Sequence, residues 1–438
     1  MLIRYNDIKR LTIKAAIKTA PAIMLMLSVL LVQSCCRRHR TSIEDSIELS
    51  CTIVSTTKAA GGLANNLDAF KLKSWNGGGN NRVGFGVFGR KTNSDNTTST
   101  LLFDNAAVFP TDATCATWEY TPIRYWDSNP EVSYQFIAYW PHVDKYDGTN
   151  APNALSAGES ANKTLTIYNI PNWQDGNGTG NNKAYDFMTS PSFGHYRQNS
   201  GTPAYADGKV SFSFYHILAK LVVKAYFTGN LSVPVKIYGI TLKKGTENGA
   251  TDFLGEGTSN YTQLFNQSYE LPYYGTNFNG YSFGESTVQA DNPFTYNQAT
   301  QQNQEAYKNA LDHTLLNVVN PDALSATAFC AQEGDTYVPD IICEHLMVPC
   351  DGWNKLALDI NCSIGNAAPT TKTVTGITFS TTLRKGVNEQ AYTGRTFGNH
   401  SYEILLLFNT ASSGIEAQTI VVNGWTDADN IDDEVYNW

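Results

Sequence analysis

Six of the seven histidines, His142, His195, His216, His313, His345 and His400, lie beyond the basic stretch RRHR and are the side chains best suited to proton transfer near neutral pH. A histidine base needs a partner nucleophile, a metal or an orienting acid, so their surroundings decide whether they are catalytic. FGHY around His195 and GNHS around His400 sit in loop-like sequence with no serine or cysteine nucleophile signature. GxSxG, GxxxxGK[ST] and HExxH are all absent. In FSFYH, strand alternation puts His216 on the side of Phe212 and Phe214, where a hydrogen-bonded structural histidine is expected. Carboxylates of glycosidase type can come from distant strands, but nothing in the sequence points to such a pair. The tail WTDADNIDDEVYNW concentrates Asp427, Asp429, Asp432, Asp433 and Glu434, yet lacks the glycine and distal glutamate of a calcium loop and reads as solvated acid. Trp118, Tyr120, Tyr125, Trp126 and Trp140 would suit a sugar-stacking platform, but at strand spacing they are expected in a core. The expectation is no enzyme, no metal and no cofactor.

The eight cysteines carry the remaining chemistry. No CxxC or Cys/His pair has zinc spacing. Cys343, Cys350 and Cys362 fall close together and suit either one local disulfide or buried free thiols. Cys35 stands apart. Ahead of it MLIRYNDIKRLTIKAAIKTAP carries Arg4, Lys9, Arg10, Lys14 and Lys18, and AIMLMLSVLLV supplies an apolar run of eleven residues. A membrane span needs ~20 apolar residues, so this is a secretory leader rather than a transmembrane helix. Val32-Gln33-Ser34-Cys35 resembles the lipobox of bacterial lipoproteins, with Cys35 as the acylated residue. Residues 1–34 are then the signal peptide and 35–45 a polar tether between lipid and first strand.

Behind the leader about 400 residues remain, enough for two or three domains with real cores. The formal net charge is −9 and only 16% of residues are charged, with no basic stripe beyond Arg37 to Arg40, so nucleic acid is excluded as a partner. With 24 Tyr and 20 Phe among many Thr, Ser, Asn and Gly, the chain favours strands and tight turns. The fold class is all-β.

Short alternating segments bear this out along the chain: SIELSCTIV, VGFGVFGR (83–90), YQFIAYW (134–140) and LTIYNI (165–170), each bounded by turn residues. The longest apolar run is KVSFSFYHILAKLVVKAYF. Val210, Phe212, Phe214 and Leu218 share one parity and Leu221, Val223, Ala225 and Phe227 the other, so a bulge or a change of face is predicted near Ala219-Lys220. VPVKIYGITLKKG follows, then a long Gly/Asn/Tyr/Gln-rich passage between Gly245 and Lys308 that reads as a functional or partly ordered insertion. A domain boundary is placed near its start, giving 46–255 and 256–438. CEHLMVP, WNKLALDINCSI, TVTGITFSTTL, SYEILLLFNT and GIEAQTIVVNGW are the strands of the second half.

Several of these fragments, in this order, resemble one family: STTKAA, WEYTPIRYW, FIAYWP, YDFM, FSFYHILAKLVVKAYF, LMVP and SYEILLLF with IVVNGW. The chain is similar over nearly its whole mature length to the fimbrillin-like proteins of Bacteroidales, subunits and accessory proteins of type V pili. The resemblance implies two tandem transthyretin-like β-sandwich domains. It implies export as a lipoprotein to the outer membrane, removal of the first strand by a surface protease, and head-to-tail polymerisation in which a neighbour's strand fills the open groove. Other pilin subunits, the outer membrane through its lipid, and a host or bacterial surface ligand are the implied partners.

Carried onto this sequence, SIELSCTIV is the removable strand and Lys58 the processing position, where family members commonly have arginine; an uncut turn lysine is the other reading, and Arg82 and Arg90 are fallback sites. Phe212, Phe214 and Leu218 are assigned to the groove lining. Ile415, Ala417, Thr419 and Val421 form one face of a donor strand, or of an ordinary closing strand. A surface glycan-binding lipoprotein that never polymerises is the rival function, and uncut strands with exposed Trp/Tyr platforms would mark it.

Overall fold

In the computed structural model the described residues lie within 46–423, apart from internal stretches of which the longest are 54–69, 176–185, 198–208, 265–293 and 297–311. Cys35, Lys58, the tether, most of the long insertion and the acidic tail fall outside them. No helix among the described residues is long and apolar enough to cross a membrane.

The fold is nearly all β. Its strands run β1 (Glu48–Ile53), β2 (Phe85–Thr92), β3 (Ser99–Pro110), β4 (Trp118–Tyr120), β5 (Ser133–Trp140), β6 (Ser156–Ser160), β7 (Thr164–Pro171), β8 (Trp173–Asp175), β9 (Met188–Thr189), β10 (Phe193–Arg197) and β11 (Lys209–His216). They continue as β12 (Ala219–Thr228), β13 (Val235–Lys243), β14 (Thr258–Leu264), β15 (Phe294–Tyr296), β16 (His313–Asn317), β17 (Gln332–Glu333), β18 (Thr336–Tyr337) and β19 (Asp340–Met347). The last are β20 (Asp351–Trp353), β21 (Leu356–Ile364), β22 (Thr370–Ile377), β23 (Ser380–Lys385), β24 (Asn388–Arg395), β25 (His400–Asn409) and β26 (Gly414–Asn423).

Residues 46–47 group with 123–126 in a small unit of their own, where Ser46 bridges to Tyr125 and the Ile47 amide donates to Arg124 O at 2.9 Å. Everything else described belongs to the larger unit. There the first sheet runs β1-β11-β9-β5-β2-β3-β4, with β10 added on β5. β2 and β5 lie inside it and have both faces covered, so they read as nearly continuous apolar runs rather than as alternation. One face carries Phe85, Val87, Phe136, Ala138 and Trp140; the other carries Phe88, Ile137 and Tyr139 and belongs to the core that includes Ala157 of β6 and Leu165 and Ile167 of β7. Gly86 is needed because a Cβ there would run into the Tyr139 ring, and Gly89 faces the Phe103 and Phe136 rings as closely.

A second pair of layers is formed by the sheet β26-β25-β12-β19-β8 and the sheet β16-β13-β21-β22. Leu221, Val223, Tyr402, Ile404, Leu406 and Phe408 of the one share a core with Ile237, Ile240, Leu242, Leu358 and Ile360 of the other. The predicted parity change is present, and its cause is a change of sheet. The long apolar run breaks at Ile217–Leu218 into β11, which belongs to the first sheet, and β12, which becomes the centre of the second. The Ile217 amide donates to Phe187 O and the Leu218 carbonyl accepts from the Asn399 amide, both at 2.9 Å, so the break has its backbone groups paired on both sides.

Candidate functional site

β1 is an end strand of the first sheet and the earliest strand among the described residues, so it can leave without breaking any other strand pair. It lies parallel to β11 in unbroken register from Glu48↔Lys209 through Cys51↔Phe212 to Ile53↔Phe214. Alternation sorts its contacts. Leu49 and Cys51 share the face of Val210 and Phe212, and Leu49 is buried. On the opposite face the Ser50 and Ser211 hydroxyls meet at 2.7 Å and Lys209 Nζ stands 3.7 Å from Glu48 Oε2. That exposed ion pair contributes little, so the inward face and the backbone ladder hold the strand.

Beneath it lies an aromatic cluster. The Phe212 and Phe214 rings meet Phe85 edge-on at 5.8 and 5.7 Å, Phe85 meets Trp118 at 4.9 Å, and Phe70 lies 6.4 Å from Phe214 and 5.5 Å from Trp140. Phe212 and Phe214 are therefore brought together under the first strand, as a groove lining requires. Leu218 is not. It is fully buried in the core of the β12 sheet, because the break after β11 carries it away from the groove. The sequence marks Trp118 for a core without linking it to this groove, and it singles out neither Phe70 nor Phe85, although VGFGVFGR reads as a strand.

β26 pairs with β25 over its whole length, from His400↔Asn423 to Asn409↔Gly414, as the closing strand of its own sheet. Ile415, Ala417 and Val421 are half-buried against the core, and Thr419 Oγ1 donates to Thr378 O at 2.9 Å. Of the fallback processing sites, Arg90 sits within β2 between β3 and β5, and Arg82 Nη1 donates to Pro110 O at 2.8 Å and to Glu119 at 2.6 Å.

The described histidines do not converge on one site, although the His313 and His345 rings meet edge to face at 6.1 Å. His216 Nδ1 and Asp186 Oδ1 are 2.8 Å apart, joining the FYH and YDFM fragments as a structural pair. His345 Nε2 lies 2.8 Å from Leu315 O, and His313 stacks on Trp173 at 4.2 Å. His400 Nδ1 donates to Gly398 O at 2.6 Å. Burial pushes the pKa of His400, and of His313, down to about 4. The unfolded chain takes up these protons near pH 6.5 while the fold refuses them, so their stabilising contribution is complete above 6.5 and is lost as pH falls toward 4. Urea midpoints are expected to hold from pH 8 to 7 and fall between 6.5 and 4.5, more shallowly in a His400→Gln variant. A midpoint that stays constant to pH 4.5 would contradict this.

Cys343, Cys350 and Cys362 are buried, reduced thiols rather than a local disulfide, and the Trp353 indole donates to Cys350 Sγ at 3.2 Å. Among the described residues no group of three or more His, Cys, Asp or Glu could hold a metal. The aromatic set divides in the same spirit: Trp140 is buried, Trp118 belongs to the cluster under β1, and Tyr125 is exposed.

None of the curated proteins compared with the chain matches it. Among solved structures, a fimbrial protein from Bacteroides vulgatus is similar at 17% identity and a TM-score of 0.43, over 87% of this chain and 100% of that one. The tip fimbrial protein Mfa3 from Porphyromonas gingivalis, C-terminally truncated, is similar at 9% identity and a TM-score of 0.31, over 78% and 94%. The fimbrillin-like family model matches residues 74–305, more than half of the 438. The chain belongs to the fimbrillin-like family and is a fimbrial protein of the cell surface, not an enzyme.

Proposed function

We propose that the protein is a fimbrial subunit that reaches the outer membrane acylated on Cys35, loses β1 to proteolysis at Lys58, and polymerises head to tail by taking a neighbour's strand in its place. The observation that carries this reading is the position of β1, a terminal strand whose inward face rests on the Phe212 and Phe214 cluster and whose departure would leave β11 with an unpaired edge. Lys58 is the first basic residue after β1, and a protease cleft needs chain whose backbone is not already paired, which Arg90 in β2, between β3 and β5, does not offer. The β26 face of Ile415, Ala417, Thr419 and Val421 supplies the apolar alternation a donor would need. Two tandem sandwich domains, one accepting a strand and the other supplying it, fit this life cycle; β12 and β13 pair with β25 and β21, so the division lies ahead of β12 rather than at 255. Adhesion to a host or bacterial surface is the outcome of display in the fimbrium.

The test is intact mass and N-terminal sequence of protein taken from the native cell surface. A mature chain starting at Ala59, without Cys35, is expected. A chain that retains acylated Cys35 and β1 would overturn processing and point to an uncut lipoprotein that captures glycan and does not polymerise.

A further inference from the structure

The removable strand carries a thiol on the face it buries. Cys51 shares that face with Leu49 and stands in register with Phe212. From there the aromatic contacts lead through Phe85 to Trp118, whose indole N–H donates to Cys115 O at 3.1 Å. Cys115 is buried in the turn between β3 and β4, and β1 runs against β4, so the turn and the first strand are neighbours. The turn is firmly built: the Asp112 carboxylate accepts from the Thr114 amide at 2.8 Å, the Cys115 amide donates to Asp112 O at 3.1 Å, and Cys115 Sγ donates to Lys71 O at 3.5 Å. Cys115 itself holds a left-handed backbone with φ 51°, a conformation the turn imposes. Both thiols are reduced in the structure.

We infer that Cys51 and Cys115 are a disulfide pair that clamps the removable strand to the β3–β4 turn. On oxidation the two thiols lose two protons and two electrons and one S–S bond forms; the electrons and protons pass to the disulfide of an exchange partner, whose S–S bond breaks to give two thiols. Burial raises the pKa of both groups, Cys115 to about 11 and Cys51 well above its ordinary value, with the Cys115 charge adding to the Cys51 rise. Thiolate is therefore scarce once the strand is seated, and the bond forms during folding in the oxidising compartment rather than afterwards. The inference rests on β1 being the strand that is removed, and it changes what removal means: a chain cut after β1 stays joined to it, and through Cys35 to the lipid, until the bond is reduced. Cutting and release become two separate events.

The test uses the whole mature chain, secreted into an oxidising compartment and purified without reductant. After denaturation and alkylation, peptide mapping is expected to find Cys51 and Cys115 linked and two hydrogens lighter than the separate thiols. In a second protein a site-specific protease sequence replaces residues 55–60. Its cut N-terminal fragment is expected to stay attached on a denaturing non-reducing gel and to leave on adding dithiothreitol, whereas Cys51→Ser and Cys115→Ala versions lose it without reductant. Alkyl label on both cysteines, or a fragment that falls away without reductant, would overturn the clamp. The outcome is independent of native processing, because the cut is engineered. Linked cysteines in a chain whose cell-surface N-terminus is still Cys35 would keep the clamp and refute strand removal.

Discussion

A chain begun at Ala59 is expected to lose the protection of β11 and to regain it when a strand is supplied. The ladder from Glu48↔Lys209 to Ile53↔Phe214 disappears, and with it the cover that Leu49 and Cys51 give to Phe212 and its neighbours. Burial of one leucine is worth roughly 1.5–3 kcal/mol and each net hydrogen bond roughly 0.5–1.5 kcal/mol. The sum is comparable with the whole stability of an ordinary domain, about 5–15 kcal/mol. Hydrogen exchange should show the amides of β11 opening by several orders of magnitude relative to the intact chain, while those of β12 and β25, in another sheet, stay protected. A peptide of sequence GIEAQTIVVN added in excess is expected to restore protection, since a ligand at 100 times its Kd adds about 2.7 kcal/mol. If the trimmed chain protects β11 as well as the intact one does, β1 is dispensable and the strand-exchange reading falls.

The second large effect lies in the β12 sheet. Lys220 of β12 and Glu344 of β19 form an ion pair at 2.8 Å with side chains only 6% and 4% exposed. Lys224 adds a further pair with Glu403 of β25 at 2.9 Å. Glu344 Oε2 accepts no hydrogen bond from any described residue, so the Lys220 ammonium on Oε1 is the contact that offsets the burial of this carboxylate. Lys220→Met is expected to cost about 3–5 kcal/mol, because a buried carboxylate loses its counterion. The double variant Lys220→Met with Glu344→Leu is expected to recover most of the loss, since two desolvated charges are then absent. Urea midpoints of the wild type, both single variants and the double variant form the cycle. Equal midpoints for Lys220→Met and the wild type would show that the pair is hydrated after all.

The sequence by itself determined the fold class, most strand positions and the classes of function to be set aside. It did so because each relies on local information: period-two alternation, turn residues at segment ends, net charge, and motifs absent from the text. SIELSCTIV, YQFIAYW, SYEILLLFNT and GIEAQTIVVN became β1, β5, β25 and β26 with boundaries shifted by one or two residues. Phe212 and Phe214 were legible as core positions for the same reason. Only the tertiary structure decided where the two halves of KVSFSFYHILAKLVVKAYF go. Parity records a change of face but is silent on whether a strand bulges or moves to another sheet, and that choice placed Leu218 in the other core. Short strands such as β4, β8 and β9 carry too few residues for a period to register. The pairing of β1 with β11, across more than 150 residues, and the approach of β1 to β4 are long-range features that no local pattern encodes.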